Sequence, residues 1–124
     1  MDKKRPVNLD IRTIKFPLAA IASITHRITG VVLFGGMTLL LYLLQISLSS
    51  ENGFLSAIEL TGKISVKLAI WVTLISISYH LIAGVKHLLL DLGIGETKTS
   101  AENGARILLF SLVIISVLTG VWIW

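Results

Sequence analysis

The chain of 124 residues is 54% hydrophobic and 15% charged, and its basic side chains outnumber the acidic ones to leave a formal net charge of +4. That charged share lies well below the roughly 25% of soluble domains. The lack of cysteine excludes a disulfide scaffold, a thiolate metal site, an iron–sulfur cluster held by this chain alone and cysteine nucleophile chemistry, leaving three histidines as the good metal ligands.

The charges fall in blocks separated by long apolar stretches, a pattern that predicts membrane spans rather than two-faced soluble elements. The chain opens on a basic head, residues 1–27, with Lys3, Lys4, Arg5, Arg12, Lys15 and Arg27. Its length and mixed charge do not suit a cleavable signal peptide, so the head is expected to stay. At its end runs Ser23-Ile24-Thr25-His26-Arg27. As helix, this run puts Ser23 and Arg27 on one face at i and i+4 with His26 adjacent, and Pro17 suits the first turn of such a helix. Residues 28–48 form the first predicted span, which holds no charged side chain. The polar stretch at 49–52 reads as a plain loop, and the only basic residues at the connection to the second span, residues 66–90, are Lys63 and, at the edge of that helix, Lys67. Residues 96–103 read as another short loop before the third span, 107–124, in which Ser116 and Gly120 make a small-xxx-small pair suited to helix contacts.

Each span is expected to be helical, because a bilayer leaves backbone polar groups no partners outside a helix or a closed barrel, and this chain is too short for a barrel. The predicted architecture is an all-α transmembrane three-helix bundle forming one membrane-anchor domain, 1–124. Lys86, Lys98 and Arg106 fall on the same side as the basic head. The positive-inside rule therefore puts the N-terminus in the cytoplasm and the C-terminus on the periplasmic side, where Trp122 and Trp124 form an interfacial aromatic anchor. Basic residues confined to the flanks of spans suit anionic lipid headgroups, and nucleic-acid binding is not expected.

An ionisable side chain within a span is a functional-site candidate. His80 lies six residues before Lys86, roughly 9 Å below the cytoplasmic edge, and Gly84 one turn on removes the side chain that would block a flat ligand. This pair reads as a haem ligand beside a clearance site, as a helix-packing histidine beside a close helix contact, or as part of a proton relay. His87, ~10 Å further along the same face, cannot join His80 on one iron and reads as an interfacial residue. Arg27 suits either a topology anchor or a partner for haem propionates. Ser23, His26 and Arg27 could instead hydrogen-bond a quinone carbonyl and stabilise the charge it gains. A six-coordinate haem needs two axial groups at one depth; His26 is expected at the boundary, too shallow to match His80, which points to a second ligand from another chain.

Two ordered motifs carry a resemblance. The head reads Arg5-Pro6-Val7, then Ile11, Leu18, Ser23, His26, Arg27 and Thr29; the second span reads His80, Gly84, Val85, Lys86, His87, Leu88, Asp91 and Gly93. This resembles the cytochrome b membrane-anchor subunit of bacterial succinate dehydrogenase, respiratory complex II, over essentially the whole chain. Lys86, where the family usually has arginine, and Leu90, where it has an aromatic residue or methionine, depart from the pattern. The resemblance implies haem b with His80 as one axial iron ligand and a histidine of a small membrane-anchor subunit as the other, with His26, Arg27 and Gly84 around the haem. It implies a ubiquinone site at Ser23, Arg27 and Ile24, beside an iron–sulfur subunit that, with a flavoprotein subunit, sits on the cytoplasmic face of the bacterial inner membrane. Succinate oxidation itself belongs to those partners. The rivals are the anchor of a fumarate reductase and a small transporter or channel subunit that uses His80 for protons.

Overall fold

The computed structural model describes Asp10 and residues 13–124. Of the residues singled out above, Lys3, Lys4, Arg5, Pro6, Val7, Ile11 and Arg12 lie outside the described residues. The described chain is all-helical, with α1 over Leu18–Ser49, α2 over Glu51–Gly62, α3 over Ile64–Asp91 and α4 over Lys98–Ile123. Three of these, α1, α3 and α4, are long and apolar enough to cross a membrane.

The helix count differs from the expected three because residues 51–62 coil instead of looping. Twelve residues make a marginal helix in isolation, and packing is what holds such a segment. Ser50 caps it, accepting from the Gly53 amide at 3.0 Å, and Glu51 complements the dipole in its first turn. Ala57 is buried where α2 lies along α1, and Leu43, Leu44 and Ser47 face Ala57, Ile58 and Thr61 across an apolar groove of about 300 Å³.

Two other boundaries move for similar reasons. Helix α1 begins at Leu18, ten positions before the expected span, with Pro17 as its extended N-cap residue rather than within its first turn. Helix α4 begins at Lys98 inside the stretch read as a loop, started by Thr97, whose hydroxyl accepts from the Ser100 amide at 3.2 Å. Hydropathy marks where charge leaves the chain, whereas a helix starts where a cap is available.

The bundle has little interior. Its core is Ala22, Tyr79, Ala83, Ala105 and Leu108, where α1, α3 and α4 meet, with Leu18 and Leu112 packed against it. Large apolar side chains point outward instead: Phe34 is 83% exposed and Val121 78%. Such a surface suits a lipid solvent or partner helices and would be an aggregation liability in water.

Small residues bring the helices together. A Cβ at Gly36 of α1 would overlap the side chain of Thr73 on α3, while one at the neighbouring Gly35 would meet nothing within 4 Å. On the other side of α3, the Trp71 indole N–H donates to the Ser116 carbonyl at 3.0 Å, and Gly120 gives the ring room. The Ser116 and Gly120 pair therefore serves a contact inside the bundle. Trp124 meets Trp71 edge to face at 5.8 Å, and Trp122 stays outside, 78% exposed.

Adjacent glycines with such different surroundings make a controlled comparison. Gly36→Ala is expected to lower the stability of the purified protein by about 1–3 kcal/mol through overpacking, whereas Gly35→Ala leaves it unchanged or slightly raised. Thermal unfolding of the two variants side by side checks this.

Candidate functional site

Helix α1 carries Ser23, His26, Arg27, Thr29 and Gly30 on its first four turns, and α3 carries Tyr79, His80, Gly84 and His87 in its C-terminal half. The early start of α1 sets their relation. His26 stands inside a helix well before its most apolar stretch, and its ring stacks on that of His80, with centroids 4.0 Å apart and planes 24° from parallel. The expected depth mismatch between His26 and His80 is thus corrected: α1 and α3 place them side by side. Two rings stacked in contact leave no gap for a planar macrocycle between them, so His26 is no second axial partner to His80 in this arrangement.

His87 also approaches His26, at 5.2 Å between centroids with a 42° tilt. Since His80 and His87 are two turns apart on α3, His26 fits between them and makes a row of three imidazoles. The row is not a chelating cluster. Among the described residues no group of three or more His, Asp or Glu is placed to hold an ion, and stacked rings turn faces rather than lone pairs to one another.

The polar atoms of His80 are arranged asymmetrically. Its Nδ1 is 3.1 Å from the carbonyl oxygen of His26 and 3.1 Å from Oγ1 of Thr29, while that hydroxyl donates to the same carbonyl at 2.8 Å. A carbonyl can only accept, and the Thr29 proton is already engaged, so Nδ1 carries the ring proton and donates to both oxygens. The neutral ring then has its lone pair on Nε2, which no described group bonds and which is not among the atoms sealed from the surface. Gly30 makes this possible sterically, because a Cβ there would come within 3.2 Å of His80 Cε1.

Neutral imidazole with Nδ1–H held by a backbone carbonyl and a free Nε2 is the form that binds a metal. The residues present therefore fit a haem held through His80. A second observation agrees: His26 Nε2 is buried with no hydrogen-bond partner among the described residues, and it faces Gly84, where a Cβ would lie 3.9 Å away. A buried polar nitrogen without a partner is costly unless a ligand satisfies it.

Ser23 and Arg27 share a face one turn apart. Ser23 is half-buried and Arg27 exposed, and neither side chain has a hydrogen bond or ion pair among the described residues, although Thr25 and Thr29 both bond back to their own helix. Ile24 beside them is 43% exposed. The group has a hydroxyl, a guanidinium and an apolar side chain free to meet a ligand carrying carbonyl oxygens.

Two contributors escaped the sequence reading. Thr29 appears there only as part of a motif, although a hydroxyl three residues after His26 lies on the same helix face and so points at the same neighbour. Tyr79, fully buried, reaches across from α3 so that its hydroxyl donates to the Ala22 carbonyl at 3.2 Å, tying the start of α1 to α3. No pattern in one sequence announces that contact.

A family model described as the succinate dehydrogenase/fumarate reductase transmembrane subunit matches residues 1–121. The chain belongs to this family. It is 42% identical to the succinate dehydrogenase cytochrome b556 subunit of Coxiella burnetii, over the whole of both chains. It is also 34% identical to the subunit of that name from Paracoccus denitrificans, over 93% of this chain and 88% of the other. The Rickettsia prowazekii subunit of the same name is 29% identical, over 98% and 91%. These relatives are cytochrome b subunits of an enzyme complex, and the family's name agrees with the three helices able to cross a membrane.

Tyr79→Phe removes the hydroxyl that links α3 to the first turns of α1. It is expected to lower stability by about 1 kcal/mol, and thermal unfolding of the purified protein together with its hydrogen exchange over residues 18–26 would register the loosening.

Proposed function

We propose that this chain is the large membrane anchor of a succinate:quinone oxidoreductase, binding haem b and forming part of the ubiquinone site that delivers electrons from succinate to the quinone pool. The observation that carries the reading is the proton held on His80 Nδ1 by the His26 carbonyl and Thr29, which leaves Nε2 ready as an axial ligand. The names of the relatives favour succinate dehydrogenase over fumarate reductase as the working direction.

In this reading the chain lies in the bacterial inner membrane with its N-terminus cytoplasmic and its C-terminus periplasmic, the orientation that basic residues at the flanks of the spans favour. The flavoprotein and iron–sulfur subunits dock at the cytoplasmic side. A small membrane-anchor subunit would contribute the other haem ligand, since His26, the other imidazole in contact with His80, is stacked on its ring. Haem, when bound, supplies a one-electron carrier near the quinone. His26 and Arg27 would hold its propionates, which would give the buried imidazole nitrogen its missing partner, and Gly84 would keep the approach clear.

Quinone reduction takes up two electrons and two protons. Ser23 O–H donates to one quinone carbonyl and fixes the ring, while Arg27 stabilises the negative charge that builds on that oxygen as electrons arrive. Ile24 supplies an apolar wall. Neither polar group has to break an internal bond first, so the site is organised in advance of the substrate.

His80→Leu is expected to remove or shift the reduced b-type bands of the purified complex while succinate oxidation with an artificial acceptor persists. An unchanged visible spectrum and midpoint potential would sink the ligand assignment. Arg27→Leu is expected to lower ubiquinone reductase activity by roughly 100-fold, with dye-linked succinate oxidation falling far less. Equal loss in the two assays would mean failed assembly rather than a damaged quinone site.

A further inference from the structure

His80 has two acceptors for its ring proton, and they are not equivalent. The His26 carbonyl belongs to the α1 backbone, so any residue at that position supplies it. The Thr29 hydroxyl is a side chain. It is buried, donates to that same carbonyl at 2.8 Å and stands 3.1 Å from His80 Nδ1. The three atoms form a closed set: the hydroxyl donates to the carbonyl, and the imidazole N–H is shared between carbonyl and hydroxyl oxygen.

From this geometry we infer that Thr29 is a positioning residue for haem binding, acting through the His80 ring rather than on the haem itself. The inference rests on the proposal that His80 ligates haem iron. Three effects follow from the hydroxyl. It adds a second acceptor to Nδ1–H, which fixes the tautomer with the lone pair on Nε2. It holds the ring's rotation about its own axis, because a proton shared between two oxygens has one favoured direction. It also draws the proton away from the ring, which makes Nε2 a stronger donor to iron. A more basic axial ligand favours the ferric state and lowers the midpoint potential. Gly30, the next residue, leaves room for the ring to reach these acceptors, since a Cβ there would press on His80 Cε1.

The purified complex tests this with three Thr29 variants beside His80→Leu, read by haem content per complex, visible spectrum, redox titration and low-spin ferric resonance. Thr29→Val keeps the shape and deletes the hydroxyl. Its midpoint potential is expected to move positive, and its haem retention under mild detergent or competitor challenge to fall by about 10-fold or more, the usual cost of losing a group that orients a metal ligand. Thr29→Ser restores the hydroxyl and is expected to restore both readouts. If the valine complex does not assemble, Thr29→Ala, which also lacks the hydroxyl but is smaller, takes its place against serine. Valine and serine variants that shift together would overturn the inference, because the effect would then not follow the hydroxyl. So would a valine variant with unchanged potential and haem retention. Failure of the underlying ligand assignment looks different: His80→Leu would keep its spectrum whatever the Thr29 variants do.

Discussion

The site depends on one polar contact between two apolar helices, the donation from His80 Nδ1 to the His26 carbonyl. In a bilayer an imidazole has few alternatives to a protein partner, so leaving this nitrogen unbonded would cost more than the contact itself is worth. The consequence runs in both directions. The acceptor fixes which nitrogen of His80 keeps its lone pair, and the donor fixes the rotation and register of α3 against α1. With that register set, Tyr79 reaches the Ala22 carbonyl and Thr73 fits against Gly36.

Stability and function are divided along the length of the bundle. Toward the end where α3 finishes, small buried residues surround Tyr79 and the histidine row comes together. Toward the other end, Trp71 fastens α3 to α4 through the Ser116 carbonyl, and α2 lies along α1. Between them the buried side chains of α3 are small and polar, Thr73 and Ser76. A bundle with so little core is held by close backbone approach and a few directional bonds, which is how helices associate when the surrounding solvent is as apolar as their own side chains. It also leaves broad apolar faces for lipid and for partner chains, consistent with its kinship to subunits of an enzyme complex.

The row of imidazoles gives the three histidines separate parts. His80 has its Nδ1 committed and its Nε2 open; His26 has a buried Nε2 without a partner; His87 closes the row at 5.2 Å from His26. Identical side chains thus differ in what they offer a ligand, and the difference comes from their neighbours.

Much was legible in the amino-acid order alone. Three apolar stretches had to be membrane helices, because stripping water from charge is so costly that charged residues collect at the ends of spans. The ordered motifs around Ser23–Arg27 and His80–Asp91 carried the family, which the match over residues 1–121 bears out. Tertiary structure decided the rest. It coiled residues 51–62 through a cap and a packing face too short for hydropathy to register, started α1 early enough to bring His26 level with His80, and enlisted Thr29 as a hydrogen-bond acceptor. Hydropathy reports how deep a segment sits, but the rotation and register of one helix against another follow from the His80 donation to the His26 carbonyl together with the steric fit at Gly30 and Gly36, which only the packed chain specifies.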